Sequence, residues 1–155
     1  MRKLVDWATD SKTSEPRVDA GLLFLRITTG GFIATLHGWG KLTSYGSMLD
    51  TFADPIGLGP GLSLTLTVFA EFVCGLAIVV GLATRAAAVP LVIMMLVAAG
   101  IVHADDPWSK KEFALLYAIP FVTLIFTGAG RYSLDAKLFR RTGSGGAPAV
   151  SEVNL

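Results

Sequence analysis

The chain has 155 residues, of which 52% are hydrophobic and 16% charged, and its formal net charge is +1. A mean hydropathy of +0.59 excludes disorder, which needs low hydrophobicity and high charge. It also argues against a soluble domain, whose charged fraction averages about 25%. A single cysteine excludes a disulfide framework, a CxxC redox pair and a cysteine-rich metal site, and the lack of a basic stripe argues against a nucleic-acid partner. What remains is a small integral membrane protein.

Residues 1–19 form a polar lead with no cleavable signal pattern, expected in the cytoplasm. Crossing about 30 Å of hydrocarbon takes about 20 mostly apolar residues, and four stretches qualify: residues 20–39, 62–82, 86–103 and 113–127. The last is short and would borrow Glu112 or the glycines after it. Helices are expected, because backbone groups in lipid must be satisfied within the segment. The fold class is therefore all-α, a polytopic four-helix transmembrane bundle spanning residues 20–136.

Between the first two spans, Tyr45, Met48, Leu49 and Phe52 recur at helical spacing, which suggests a short amphipathic helix on the outer surface. Gly57–Gly61 breaks the chain before the second span. Thr84 and Arg85 give a tight turn, making the second and third spans antiparallel neighbours. After the fourth span, Ser133 is placed to cap a second interfacial helix over Leu134–Arg141. Residues 137–155 form a tail, rich in glycine, serine and alanine from Thr142 and expected to be partly disordered. Nine basic residues fall on the side of the termini and three on the other. By the positive-inside rule both termini are cytoplasmic, in an inner membrane.

A charged group near the bilayer centre costs about 2.5–3.5 kcal/mol, so the ionisable residues within the spans are the informative ones. Arg26, Gly30, Ile33 and His37 share a face of the first span, which Lys41 continues outside. Thr67, Glu71, Cys74 and Gly75 share a face of the second. At about 1.5 Å per residue, Arg26 lies about 9 Å, Glu71 about 16 Å and His37 about 25 Å from the inner edge. The longer reach and two-pronged geometry of arginine favour an Arg26–Glu71 pair. His37, Lys41, His103 and Glu112, with Asp105 and Asp106, then collect in the outer half. Of these, His37, Lys41, His103 and Glu112, together with Glu71, are the five ligand-binding or proton-handling candidates, histidine being the group that titrates near neutral pH. The plainer reading is that His37 and His103 are interfacial anchors. No metal-ligand spacing is present, Cys74 reads as a small buried hydrophobe, and Met94 and Met95 read as packing residues. No catalytic motif and no covalently held cofactor are expected.

The strings Leu25-Arg26 with Gly30-Gly31, His37–Leu42, Glu71–Leu76, Gly81–Arg85, Glu112–Tyr117 and Gly128–Asp135, in this order on four spans, resemble the DoxX family. The resemblance implies a small four-helix membrane protein. It also implies a link to membrane-bound oxidoreductase complexes, since the family takes its name from a membrane subunit of a thiosulfate:quinone oxidoreductase. It supplies no catalytic motif. The expected function is an integral membrane subunit of an oxidoreductase complex, held in the bilayer, anchoring a protein partner and taking a quinone as its one non-covalent cofactor. The alternatives are a non-catalytic assembly subunit and a small transporter or proton pathway, the latter disfavoured by the absence of an inverted repeat.

Overall fold

The computed structural model describes residues 15–138, and they are helical with no strand among them. Helix α1 runs Pro16–Thr43, α3 Pro60–Val80 and α4 Thr84–Val102; these three are long and apolar enough to cross a membrane. Helix α2 is a single turn, Tyr45–Met48, α5 spans Trp108–Thr127, and α6 is Leu134–Leu138. Helix α5 has the length of a span but opens with Lys110, Lys111 and Glu112, which leaves only its later part strongly apolar.

The helices start and stop for local reasons. Proline sits in the first turn of both α1 and α3, where its missing N–H costs nothing. Gly81 ends α3 in the left-handed conformation, at φ 72°, which glycine adopts without strain. All four stretches expected as spans are helical, three of them long and apolar enough to cross a membrane, and each helix starts earlier than expected, because prolines and turn residues, rather than the first apolar residue, set each beginning. The expected amphipathic helix over Tyr45–Phe52 shrinks to one turn of helix followed by turns. The second interfacial helix is present at Leu134, and Ser133 caps it by accepting the Ala136 N–H at 3.1 Å. Phe139–Arg141 and the tail lie outside the described residues.

The four longer helices close around one core. Helix α1 packs along α3, α3 on α4, α4 along α5, and α5 returns to α1. Ile33, Ile78, Leu91, Phe121 and Leu124 are wholly buried at its centre. Lipid tails are as apolar as leucine, so close packing rather than water exclusion holds such helices together. The seam between α1 and α3 shows this directly. A Cβ on Gly30 would lie 2.8 Å from the Gly75 carbonyl oxygen, and one on Gly38 would lie 2.8 Å from the Phe72 nitrogen. The neighbouring Gly31 faces open space, so of this adjacent glycine pair only Gly30 belongs to the seam.

Three helices each contain one wide, π-helical turn: Ile33–Gly38 in α1, Phe69–Cys74 in α3 and Ala98–Val102 in α4. At the last, the His103 N–H donates to the Ala98 carbonyl five residues back, at 2.9 Å. Such turns insert one extra residue and concentrate at functional sites. Here they hold His37 and Glu71 and immediately precede His103.

Candidate functional site

Two polar constructions stand at opposite ends of the bundle. At the end where α1 begins and α5 ends, Arg26 is completely buried. Its Nη1 donates to the carbonyls of Ile78 at 3.2 Å and Val79 at 3.1 Å, and its Nη2 donates to the Tyr132 carbonyl. Asp135 accepts the backbone N–H groups of Ala83 at 2.7 Å and Thr84 at 3.1 Å. Asp19, also buried, accepts the Arg131 N–H at 2.9 Å. A cation therefore closes the carbonyl end of α3 and an anion closes the amide end of α4, the arrangement that helix dipoles favour. Burial pushes the Asp135 carboxyl above its ordinary range, against its two backbone hydrogen bonds and the Arg26 charge. These contacts dock the segment after α5 beneath the α3–α4 turn and fix the architecture at this end.

The Arg26–Glu71 pair expected from the sequence is not formed. Arg26 sits beside Ile78 and Val79, and Glu71 is seven residues earlier in α3, about 10 Å along the helix. Glu71 instead pairs with Lys41, whose Nζ lies 2.9 Å from Oε1 and 2.7 Å from Oε2. Helix α1 continues through Lys41 to Thr43, so the lysine stem lies against α3 and directs its ammonium group back to the buried carboxylate. Glu71 is 5% exposed, and a carboxylate so placed needs a close cation.

The pair stands on the wall of a cavity of about 680 Å³. His37 and Lys41 come from α1, Thr67 and Glu71 from α3, Met94 and Met95 from α4 and His103 from just past its end, Lys110 and Tyr117 from α5. Phe52, Pro55, Ile56 and Leu58 of the loop between α2 and α3 also line it. That loop is tied down by Asp54, which accepts the N–H groups of Leu58 at 2.9 Å and Gly59 at 2.8 Å and the Ser63 hydroxyl at 2.8 Å. These bonds, the Ser63 one foremost, hold the Asp54 carboxyl below its ordinary range. Elsewhere the wall is apolar, and Leu66, Phe69 and Ile93 both line the cavity and remain about half exposed on the flank of the bundle.

Four of the five candidates in the outer half thus meet at one cavity: His37, Lys41, Glu71 and His103. Glu112 is exposed and does not line it, although its neighbours Phe113 and Ala114 do. His103 Nδ1 contacts Asp106 Oδ2 at 2.7 Å, and Lys110 reaches the other oxygen at 3.2 Å. Their hydrogen bonds, first that of His103, keep the Asp106 carboxyl below its ordinary range. Met94 and Met95, expected as packing residues, face the cavity as well as the core. His37 packs edge-on against Tyr117, with ring centroids 5.7 Å apart. Among the described residues no group of three or more possible ligands is placed to hold a metal ion.

A family model for DoxX matches residues 21–104. The chain belongs to the DoxX family. The match to DoxX runs from the first turns of α1 to the end of α4, and so covers the α1–α3 seam, the three wide turns and the Lys41–Glu71 pair. One relative is the inner membrane protein YqjF of Escherichia coli, 31% identical over 127 residues, which are 79% of this chain and 95% of that one. An uncharacterized membrane protein of Mycobacterium tuberculosis, Rv3486, is 32% identical over 124 residues, 64% of this chain and 76% of that one. An uncharacterized protein of Haemophilus influenzae is 30% identical over 131 residues, 77% and 92% of the two chains. No solved structure gives a significant match. This DoxX protein is a membrane protein, and sequence reasoning alone missed three of its polar positions. Asp19 and Asp135 look like ordinary interfacial charges, although a spacing of seven puts Asp19 on the same helical face as Arg26. Tyr117 looks like one more aromatic residue in an apolar run.

Proposed function

We propose that the chain is a membrane subunit of a quinone-linked oxidoreductase complex in the inner membrane, and that the outer-end cavity is where the quinone is held. The observation that carries this reading is the cavity itself. Its volume of about 680 Å³ falls within the roughly 300–1,000 Å³ of ligand sites. It joins an apolar wall on the lipid flank to a polar end built from His37, Lys41, Glu71 and His103. A lipid-soluble ring with a long apolar tail fits that division, since the tail can remain in the bilayer while the ring reaches the polar end. The residues present supply hydrogen-bond donors for ring oxygens but no redox centre, so electrons pass to or from the quinone through a protein partner. In this reading α5 is the fourth span, as its packing along α4 and α1 supports, and both termini face the cytoplasm.

The test is to release the protein gently from its own membrane and weigh the assembly by native mass spectrometry. A mass that includes a redox partner, with a quinone lost on activation, is the expected result. A homo-oligomer or monomer that retains no quinone-sized mass, together with full complex activity in Glu71→Gln, would overturn the proposal. The dipole-matched network around Arg26 and Asp135 favours a second role, structural stabilisation of the complex. That role predicts that Glu71→Gln lowers protein abundance while leaving the specific activity of the assembled complex unchanged.

A further inference from the structure

Each cation on the cavity wall is already matched. Lys41 is held by both oxygens of Glu71, and Lys110 and His103 share the two oxygens of Asp106. An anionic head group would have to displace a carboxylate at every one of these positions. His37 and Tyr117 differ from them. They come from different helices, α1 and α5, and meet edge-on with ring planes 78° apart. Among the described residues, neither the ring nitrogens of His37 nor the hydroxyl of Tyr117 makes a hydrogen bond to the protein. His37 is exposed and Tyr117 partly buried, and both line the cavity, so their polar tips are open to a ligand held there. The Tyr117 hydroxyl can donate to it, and a neutral imidazole brings one donor and one acceptor.

We infer that His37 and Tyr117 form the specificity-determining clamp of the cavity, and that it selects a neutral head group bearing hydrogen-bond-accepting oxygen on an apolar tail over an anionic lipid. The Lys41–Glu71 pair lies on the same wall and contributes a charge-neutral surface. The ligand reaches the clamp sideways from the bilayer, past Leu66, Phe69 and Ile93, with its head leading. This inference rests on reading the cavity as a ligand site, and the experiment separates the two.

The purified protein in phosphatidylcholine nanodiscs is titrated with a decyl-substituted benzoquinone, with phosphatidic acid as competitor, and bound ligand is read by native mass spectrometry. The wild type is expected to bind one quinone, and phosphatidic acid is expected not to compete. Tyr117→Phe removes only the hydroxyl and should weaken binding about two- to tenfold, the effect of one hydrogen bond. His37→Phe should weaken it at least as much, and His37→Gln, which keeps a donor, should recover part of the loss. Met94→Trp fills the cavity and should abolish binding; its elution as a single folded species serves as the control. If Tyr117→Phe and His37→Phe bind as tightly as the wild type while Met94→Trp does not bind, the clamp is wrong and the cavity reading stands. Phosphatidic acid that binds the wild type in preference to the quinone would also overturn the clamp. If the wild type binds neither probe, or Met94→Trp binds as the wild type does, the cavity is not the site and both readings fall.

Discussion

Lys41 and Glu71 illustrate how one contact decides the chemistry of a buried region. The carboxylate is almost wholly enclosed, and removing either partner leaves the other charge without compensation. Breaking a buried pair in this way costs about 3–5 kcal/mol. Lys41→Met alone should therefore lower the thermal midpoint in detergent markedly, and adding Glu71→Gln should recover much of the loss. Circular dichroism melts of the two variants would check this; a double variant no better than Lys41→Met would mean that the pair is not what Glu71 depends on. Arg26 makes a complementary case, because its guanidinium serves three carbonyls on two segments of chain. Arg26→Lys keeps the charge but cannot span those acceptors. Amide hydrogen exchange over residues 128–138 should rise in that variant while exchange in α4 beyond its first turn stays slow.

At the scale of helices, the glycine seam and the wide turns carry the design. Gly38→Ala places a methyl group against the Phe72 backbone and should destabilise by about 1–3 kcal/mol, whereas Gly31→Ala meets nothing within contact distance and should be neutral. Unfolding in mixed micelles would compare them directly. The loop over the cavity offers a pH test. The Asp54 carboxyl has a folded-state value below its ordinary 3.8, so its ionised form is the one the fold favours. Its contribution is present above 3.8 and is lost as the pH falls through the folded value. The Leu58 and Gly59 amides should thus gain exchange, beyond the intrinsic pH effect, only in that acidic window, and in Asp54→Ala at any pH. The helices themselves were legible in the sequence, because an apolar length set by the bilayer is a strong signal. Of the four cavity residues, His37 and Glu71 were legible as costly groups in the wrong solvent, and Lys41 and His103 as polar residues at the outer boundary. Their partners were not. Counting depth at a uniform rise placed Lys41 outside the first span and left Arg26 and His37 at similar depths from Glu71, so the reach of arginine picked the wrong partner; and no side-chain propensity marks a wide turn, so its extra residue was invisible. Tyr117 gave no signal because an aromatic residue in a span is ordinary until a histidine faces it.

For the whole molecule, the proposed orientation makes a direct prediction. In a Cys74→Ser background, a cysteine at Ser47 should react with a membrane-impermeant maleimide from outside, and one at Lys137 only after the inner face is opened; the reverse pattern would invert the topology. The polar network around Arg26 has a further consequence, which concerns synthesis. The cap of α4 is supplied by Asp135, which follows Thr84 by 51 residues, and Arg26 has Tyr132 as its third acceptor, 106 residues downstream. While the ribosome is still making α5, the α3–α4 turn stands uncapped and a fully buried guanidinium lacks one of its partners. The bundle can be threaded into the bilayer helix by helix, but it cannot lock until the stretch from Gly128 to Asp135 has emerged and turned back underneath. A chain stopped at Thr127 would thus contain every long helix and yet lack both the cap of α4 and the third acceptor of Arg26.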